Sequence, residues 1–328
     1  MTRVLVTGGA GFIGHHLIEC LLKNTDWDIV VWDKLNYSGR LDRLRDVSAF
    51  NESRVLILTC DFASKMSEGI VRETGDVNYI IHLGAESHVD RSISDPEPFV
   101  VSNVLGTMNV LNYARDNLSN LKCFYFFSTD EVFGPAPDGV NYCEGDPHNP
   151  SNPYAATKSG AEMLVKSYRN TYKLPAVITR TMNVFGERQH AEKYIPTVIK
   201  KVLRGEKVTI HADSTKTRAG SRYYIHARNV SDGLLFLVSK NSVGEDYHIV
   251  GEKEVDNLSL ARLIADILGK SLDFELVDFH SSRPGHDLRY ALSGEKLREF
   301  GWVPPKNFEE SLEKTVYWTL ENSRWLEM

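Results

Sequence analysis

The chain has 328 residues, of which 42% are hydrophobic and 25% charged, a composition that excludes a disordered or fibrous protein and is ample for one large or two smaller domains. With 38 Lys and Arg against 44 Asp and Glu, the formal net charge is −6, which argues against a nucleic-acid partner. Any phosphate site must therefore be built locally, from loops and a few arginines.

In chain order, Val4 to Thr7 reads as a buried strand, followed by a glycine turn and a helix through Leu17, Leu21 and Leu22. Further strands are expected at Ile29 to Trp32, Val55 to Leu58, Tyr79 to Leu83, Cys123 to Phe127 and Ala176 to Thr179. Helices are expected around Val100 to Ala114 and over a segment that includes Glu162 to Tyr168. Short, continuously apolar strands alternating with helices predict an α/β fold, a doubly wound parallel sheet covered on both faces. Beyond about Thr181 the rhythm breaks into loops, polar stretches and isolated elements. A helix at Asp232 to Val238 and a strand at Tyr247 to Val250 are expected to return to the sheet, and the rest to form a smaller lobe over its carboxyl edge. Cys20, Cys60, Cys123 and Cys143 form no C-x-x-C pair and no histidine cluster completes a zinc pattern, so reduced thiols and no metal are expected. No apolar run approaches the roughly 18 residues of a membrane span, and Met1-Thr2-Arg3 runs straight into a strand, so no membrane association is expected and the cytoplasm is the expected compartment.

Gly8-Gly9-Ala10-Gly11-Phe12-Ile13-Gly14 lies between the first strand and the first helix and contains G-x-G-x-x-G. Glycines permit the tight turn and let the backbone approach a pyrophosphate, which then meets the N–H groups and positive dipole end of the helix. A glycine-rich turn without that context would carry little; the strand before and helix after make it a dinucleotide fingerprint. Asp33 closes the second strand, where a carboxylate accepts hydrogen bonds from the adenosine ribose and repels a 2′-phosphate, so NAD is favoured over NADP. Lys34 and Arg40 nearby keep NADP as the alternative. Asp61, after the third strand, is a candidate for the adenine amino group, although strand-end aspartates are also common turn residues.

Asn152-Pro153-Tyr154-Ala155-Ala156-Thr157-Lys158 supplies an N-cap, a proline at the first helical position, and then Tyr154 and Lys158 at i and i+4 on one face. An ammonium, with a nicotinamide cation, is expected to stabilise the phenolate, which then takes a proton from an alcohol as its carbon loses hydride. The fifth strand runs into Ser128-Thr129-Asp130-Glu131. A simple alcohol dehydrogenase needs only the hydroxyl; two adjacent carboxylates suit a second task, one neutral as acid and one ionised as base. The plainer alternative is a capping cluster at a strand end.

At these residues the chain resembles the NAD-dependent nucleotide-sugar 4,6-dehydratases, of the dTDP-glucose 4,6-dehydratase type, in the extended short-chain dehydrogenase/reductase superfamily. The resemblance runs nearly end to end, through Gly8 to Gly14, Asp33 to Gly39, His82 to Ile93, Ser128 to Gly134, Pro153 to Lys158, Asn183 to Gly186, Arg283 to Asp287 with Arg289-Tyr290, and Gly301 to Pro304. Its specific part is Thr129-Asp130-Glu131, which separates dehydratases from related epimerases. It implies a Rossmann domain of residues 1–180 with about 226–251, and a sugar-nucleotide-binding lobe of about 181–225 with 252–328. It implies Tyr154 as the base for O4–H, assisted by Lys158 and Thr129; Glu131 as the base at C5; and Asp130 as the acid at the C6 hydroxyl. The expected cofactor set is Gly8, Gly11, Phe12, Ile13, Gly14, Asp33, Lys34, Asp61, Phe62, Leu83, Tyr154 and Lys158. The expected set for a nucleoside-diphosphate hexose is Ser87, Asn183, Arg283 and either Arg218 or Arg222. A homodimer through the helices near Val100 to Ala114 and Tyr154 to Tyr172 is also implied. The chain departs from the family's Gly-Asp-Gly-x-Gln-x-Arg-Asp-Trp pattern at Ala212 to His226, where both glycines are missing and a short insertion separates Arg218 from Arg222. Glu187 stands where a proline is common and Asn229 where an aspartate is, changes expected to flank the substrate. The rival readings are a 4-epimerase or a 5,6-dehydratase on the same scaffold and, in another class, a non-catalytic NAD-binding protein.

Overall fold

The computed structural model describes residues 2–279 and 288–327. Its strands are β1 (Arg3–Thr7), β2 (Asp28–Asp33), β3 (Val55–Thr59), β4 (Tyr79–His82), β5 (Cys123–Thr129), β6 (Ala176–Thr181), β7 (Asn183–Phe185), β8 (Val208–Ala212), β9 (Ser221–His226), β10 (Asp246–Ile249), β11 (Glu254–Asp256) and β12 (Phe274–Asp278). Seven of them form one sheet in the order β10-β6-β5-β4-β1-β2-β3, with every neighbouring pair parallel.

Period-two alternation splits the apolar strand residues between two covered faces. Val4, Val6, Tyr125 and Phe127 join Leu17 and Leu21 of the helix Phe12–Asn24 and Leu234 and Leu237 of the helix Ala227–Ser239. Leu5, Phe124 and Phe126 point the other way, onto Val110 and Leu111 of the helix Gly106–Asn117 and Ala161 and Val165 of the helix Pro153–Tyr172. Burial on both faces is why these strands are unbroken apolar runs. The chain moves outward from β1 through β2 to β3, then returns to β4 on the other side of β1. That reversal opens a crevice above the carboxyl ends of β1 and β4.

Past β6 the chain is more regular than its pattern suggests. β7 and β9 pair in parallel, β11 adds to β9 antiparallel, and β8 pairs with β12. These surround a separate core that includes Val198, Ile210, Leu260 and Leu312. Strands of three to six residues are too short to show a period, which is why this part reads as irregular. The helix expected at Asp232 to Val238 begins five residues earlier, at Ala227, because the side chain of His226 caps it by accepting from Arg228 N. β10 does return to the sheet, beside β6. The helical stretch around Val100 to Ala114 contains a π-helical stretch at Val100–Leu105, which no propensity rule signals.

Glu187 and Asn229 tie the fold together and do not line the crevice. The Glu187 carboxylate lies 2.9 Å from Arg228 and 3.2 Å from His226. Burial alone would raise its proton affinity, but His226, Arg228 and His16 hold it well below the usual carboxylate range. Asn229 clamps the backbone of Lys306, donating to its carbonyl at 2.9 Å and accepting from its N–H at 3.0 Å. Glu187 nonetheless stands between Phe185 and Gln189, which do line the crevice.

Candidate active site

The glycine loop needs its glycines for different reasons. Gly8 has φ +69°, and a Cβ there would lie 2.7 Å from Gly84 Cα at the end of the neighbouring strand. A side chain at Gly14 would collide with the Gly8 carbonyl, separating helix from loop. Gly11 is the N-cap of the helix Phe12–Asn24 and offers no side-chain cap. The first N–H groups of that helix thus open onto the crevice, the arrangement that receives a pyrophosphate. Asp33, last residue of β2, is buried beside them, accepting from Ala10 N at 3.0 Å and Leu35 N at 2.9 Å. Burial raises its proton affinity, while those two hydrogen bonds oppose the rise. Each oxygen keeps a lone pair for a ribose hydroxyl, so these residues fit NAD.

Phe12, Ile13, Lys34, Phe62, Leu83, Ser87 and Asn183 all line the same crevice. Lys34 pairs with Glu86 at 2.7 Å. Asp61 does not line it: this exposed carboxylate accepts from Ala63 N at 3.0 Å and closes its own turn, the common role of a strand-end aspartate.

At the other end, Asn152 caps the helix Pro153–Tyr172 by accepting from Ala155 N at 2.9 Å, and Ser92 Oγ accepts from Tyr154 N at 3.1 Å. Tyr154 and Lys158 then face the crevice one turn apart. Lys158 Nζ donates to Phe127 O at 2.7 Å, and burial pulls its pKa down to about 8, with Glu162 opposing. β5 extends two residues beyond expectation, through Ser128 and Thr129, into a 3₁₀ turn at Asp130–Phe133. Thr129 Oγ1 donates to Asp130 Oδ1 at 3.0 Å and accepts from Glu131 N at 3.3 Å. Asp130 is buried; burial, then the Glu131 carboxylate, push its pKa up to about 7, against Arg222 and the Thr129 hydroxyl. Its Oδ2 has no protein hydrogen-bond partner among the described residues. Burial first, and then Glu131 and Asp130, raise the Tyr154 phenol's pKa, and a Thr129 hydrogen bond opposes the rise.

Arg218 and Arg222 both lie outside the crevice lining. Arg218 is exposed and pairs with Asp138 at 2.6 Å. Arg222 donates to Ser221 O and Leu288 O, each at 2.7 Å, and stacks 4.6 Å from the Tyr290 ring centre, near enough for its charge to act on Asp130. Arg283 lies outside the described residues. The loop after β7 adds crevice residues that pattern reading missed: Gln189, His190, Glu192 and Lys193. Their only sequence signal is polarity without a period. Among the described residues no His, Cys, Asp and Glu group could hold a metal, and no helix is long and apolar enough to cross a membrane.

A nucleotide crevice with a glycine loop at one end and a tyrosine–lysine helix at the other defines an extended short-chain dehydrogenase/reductase. A family model described as GDP-mannose 4,6 dehydratase matches residues 5–315. The chain is 39% identical over 320 residues to the low-salt glycan biosynthesis protein Agl12 of Haloferax volcanii, a match covering 95% of this chain and 97% of that protein. It is 37% identical over 352 residues to the dTDP-glucose 4,6-dehydratase of Shigella flexneri, covering 99% and 94%. The solved dTDP-glucose 4,6-dehydratase of Streptomyces venezuelae, whose bound ligands include NAD, superposes with a TM-score of 0.89 at 36% identity and covers 99% of both chains. The chain belongs to the GDP-mannose 4,6 dehydratase family, the NAD-dependent nucleotide-sugar 4,6-dehydratases among the extended short-chain enzymes.

Proposed function

We propose that this chain converts a nucleoside-diphosphate hexose of the dTDP-glucose kind into the 4-keto-6-deoxy sugar nucleotide, with Tyr154, Glu131 and Asp130 handling the protons. The observation that carries the reading is the Thr129–Glu131 turn facing Tyr154, with one carboxyl, Asp130, protonated near neutrality beside a second, Glu131. An epimerase has no use for that pair. Held by the Gly8 to Gly14 loop and Asp33, NAD would supply a hydride acceptor for C4, a hydride donor for C6 and a positive charge in the site. Tyr154, ionised beside the bound nicotinamide cation, would accept the O4 proton as C4 becomes a ketone, and Thr129 orients its oxygen. The ketone acidifies C5–H, and Glu131 removes that proton. Asp130 gives its own proton to the C6 hydroxyl, which leaves as water. C5 then regains a proton from Glu131.

Asp33 selects NAD by holding the ribose. Of the two candidate arginines, Arg222 suits the diphosphate better, because its charge reaches the Asp130 site whereas Arg218 is engaged by Asp138. Exposed Val100, Val101 and Leu105 on one helical stretch, with Met163 and Tyr172 on the helix Pro153–Tyr172, support a homodimer through these helices. Free cysteines and a nucleotide-sugar substrate accord with the cytoplasm.

The test is turnover of nucleotide hexoses in heavy water with mass detection. The product should be lighter by one water and carry deuterium at C5, and Glu131→Gln should still reduce bound NAD while losing water slowly. A product of unchanged mass would move the assignment to a 4-epimerase.

A further inference from the structure

The side-chain amide of Asn152 makes a hydrogen bond at each end. Its Oδ1 accepts from Ala155 N at 2.9 Å, capping the tyrosine helix, and its Nδ2 donates to Glu131 Oε2 at 2.9 Å. The side chain is buried, and its orientation is forced. Turned by half a rotation, the amide would set N–H against the Ala155 N–H and a carbonyl oxygen against a carboxylate. One small side chain thus couples the helix that carries Tyr154 to the turn that carries Glu131.

We propose that Asn152 is a positioning residue for Glu131, holding its carboxylate in one orientation and favouring its ionised form over that of Asp130. This rests on the dehydratase reading. Two neighbouring carboxyls resist joint ionisation, so the donors around them decide which keeps the proton. Asp130 receives a hydroxyl donor from Thr129 at one oxygen and no protein donor at the other among the described residues. Glu131 receives the amide donor of Asn152 besides its place on the turn. Among the described residues, the charged or titratable groups acting on this pair include Arg222, which favours ionised Asp130, and Tyr154, which faces both carboxylates. A hydrogen bond to the charged form of a carboxylate supports that form, so the amide assigns the base to Glu131 and leaves Asp130 as the acid.

Three variants of the NAD-loaded enzyme separate this role from capping. Asn152→Ser keeps an oxygen for Ala155 N but has no amide to offer Glu131; Asn152→Asp keeps the cap and turns an anion toward Glu131; Asn152→Ala loses both. Single-turnover absorbance of the reduced nicotinamide reads hydride transfer, mass detection reads water loss, and thermal melting reads the cap. Asn152→Ser should melt within about 2 °C of wild type and reduce NAD at a wild-type rate within about threefold. It should lose water roughly 10- to 150-fold more slowly, so that reduced cofactor accumulates. Asn152→Asp should eliminate more slowly still and melt lower near neutral pH than in acid, because its carboxylate repels that of Glu131, while Asn152→Ala should match the Asn152→Ser defect and also melt lower, by roughly 2–4 °C. Water loss at the wild-type rate in Asn152→Ser, or equal slowing of both steps with a melting loss like that of Asn152→Ala, would overturn the assignment. A wild-type enzyme that releases no water would remove the dehydratase reading itself, and with it this proposal.

Discussion

Asp130 makes a quantitative claim that can be measured without substrate. Burial and the neighbouring Glu131 carboxylate move its pKa from 3.8 to about 7. In the unfolded chain the carboxyl loses its proton near 3.8; in the folded protein it keeps it to about 7. Stability from this group is therefore complete below pH 3.8 and is lost progressively as pH rises through about 7, flattening above. The full difference is about 4 kcal/mol. Asp130→Asn is nearly isosteric with the neutral carboxyl, and its amide oxygen still accepts from Thr129 Oγ1. The variant should therefore match wild type at about pH 4 and exceed it by about 2–4 kcal/mol at about pH 8. Denaturant unfolding of both proteins across that range reads the difference directly. A gain that is independent of pH, or no gain at about pH 8, would refute the burial argument and remove Asp130 as a carboxyl neutral enough to act as acid.

Tyr154→Phe keeps the ring packed but removes the proton acceptor, so single-turnover reduction of bound NAD should fall by roughly 10²- to 10⁴-fold; near-wild-type reduction would exclude Tyr154 as the base. Asp33→Ala should weaken NAD by roughly 10- to 150-fold in calorimetry and narrow the NAD/NADP difference, and equal affinities in wild type would reject the ribose assignment. Arg222→Ala should raise KM for the sugar nucleotide by a similar factor, whereas Arg218→Ala, paired at the surface with Asp138, should change it by no more than about fivefold. The reverse result would give the diphosphate to Arg218.

Much of the fold is written in local pattern. Val4 to Thr7, Gly8 to Gly14 and Leu17 to Leu22 state strand, turn and helix in one run, because burial on both faces demands continuous apolar strands and a phosphate turn demands glycine. Tyr154 and Lys158 are legible because a helix places i and i+4 together whatever surrounds it. Asp33, Thr129, Asp130 and Glu131 are legible as strand-end residues, since parallel strands all deliver their carboxyl ends to one edge. The tertiary structure alone decides what depends on distance across the chain. It brings Gln189, His190, Glu192 and Lys193 to the crevice, leaves Asp61 and Arg218 outside its lining, and sends Glu187 to His226 and Arg228. It also sets proton affinities: burial, then the Glu131 and Asp130 carboxylates, raise that of the Tyr154 phenol, which no spacing in the sequence reveals. The reason is physical. Periodicity and turn chemistry act between neighbours in sequence, whereas desolvation and charge act between neighbours in space, and only the folded chain determines which those are.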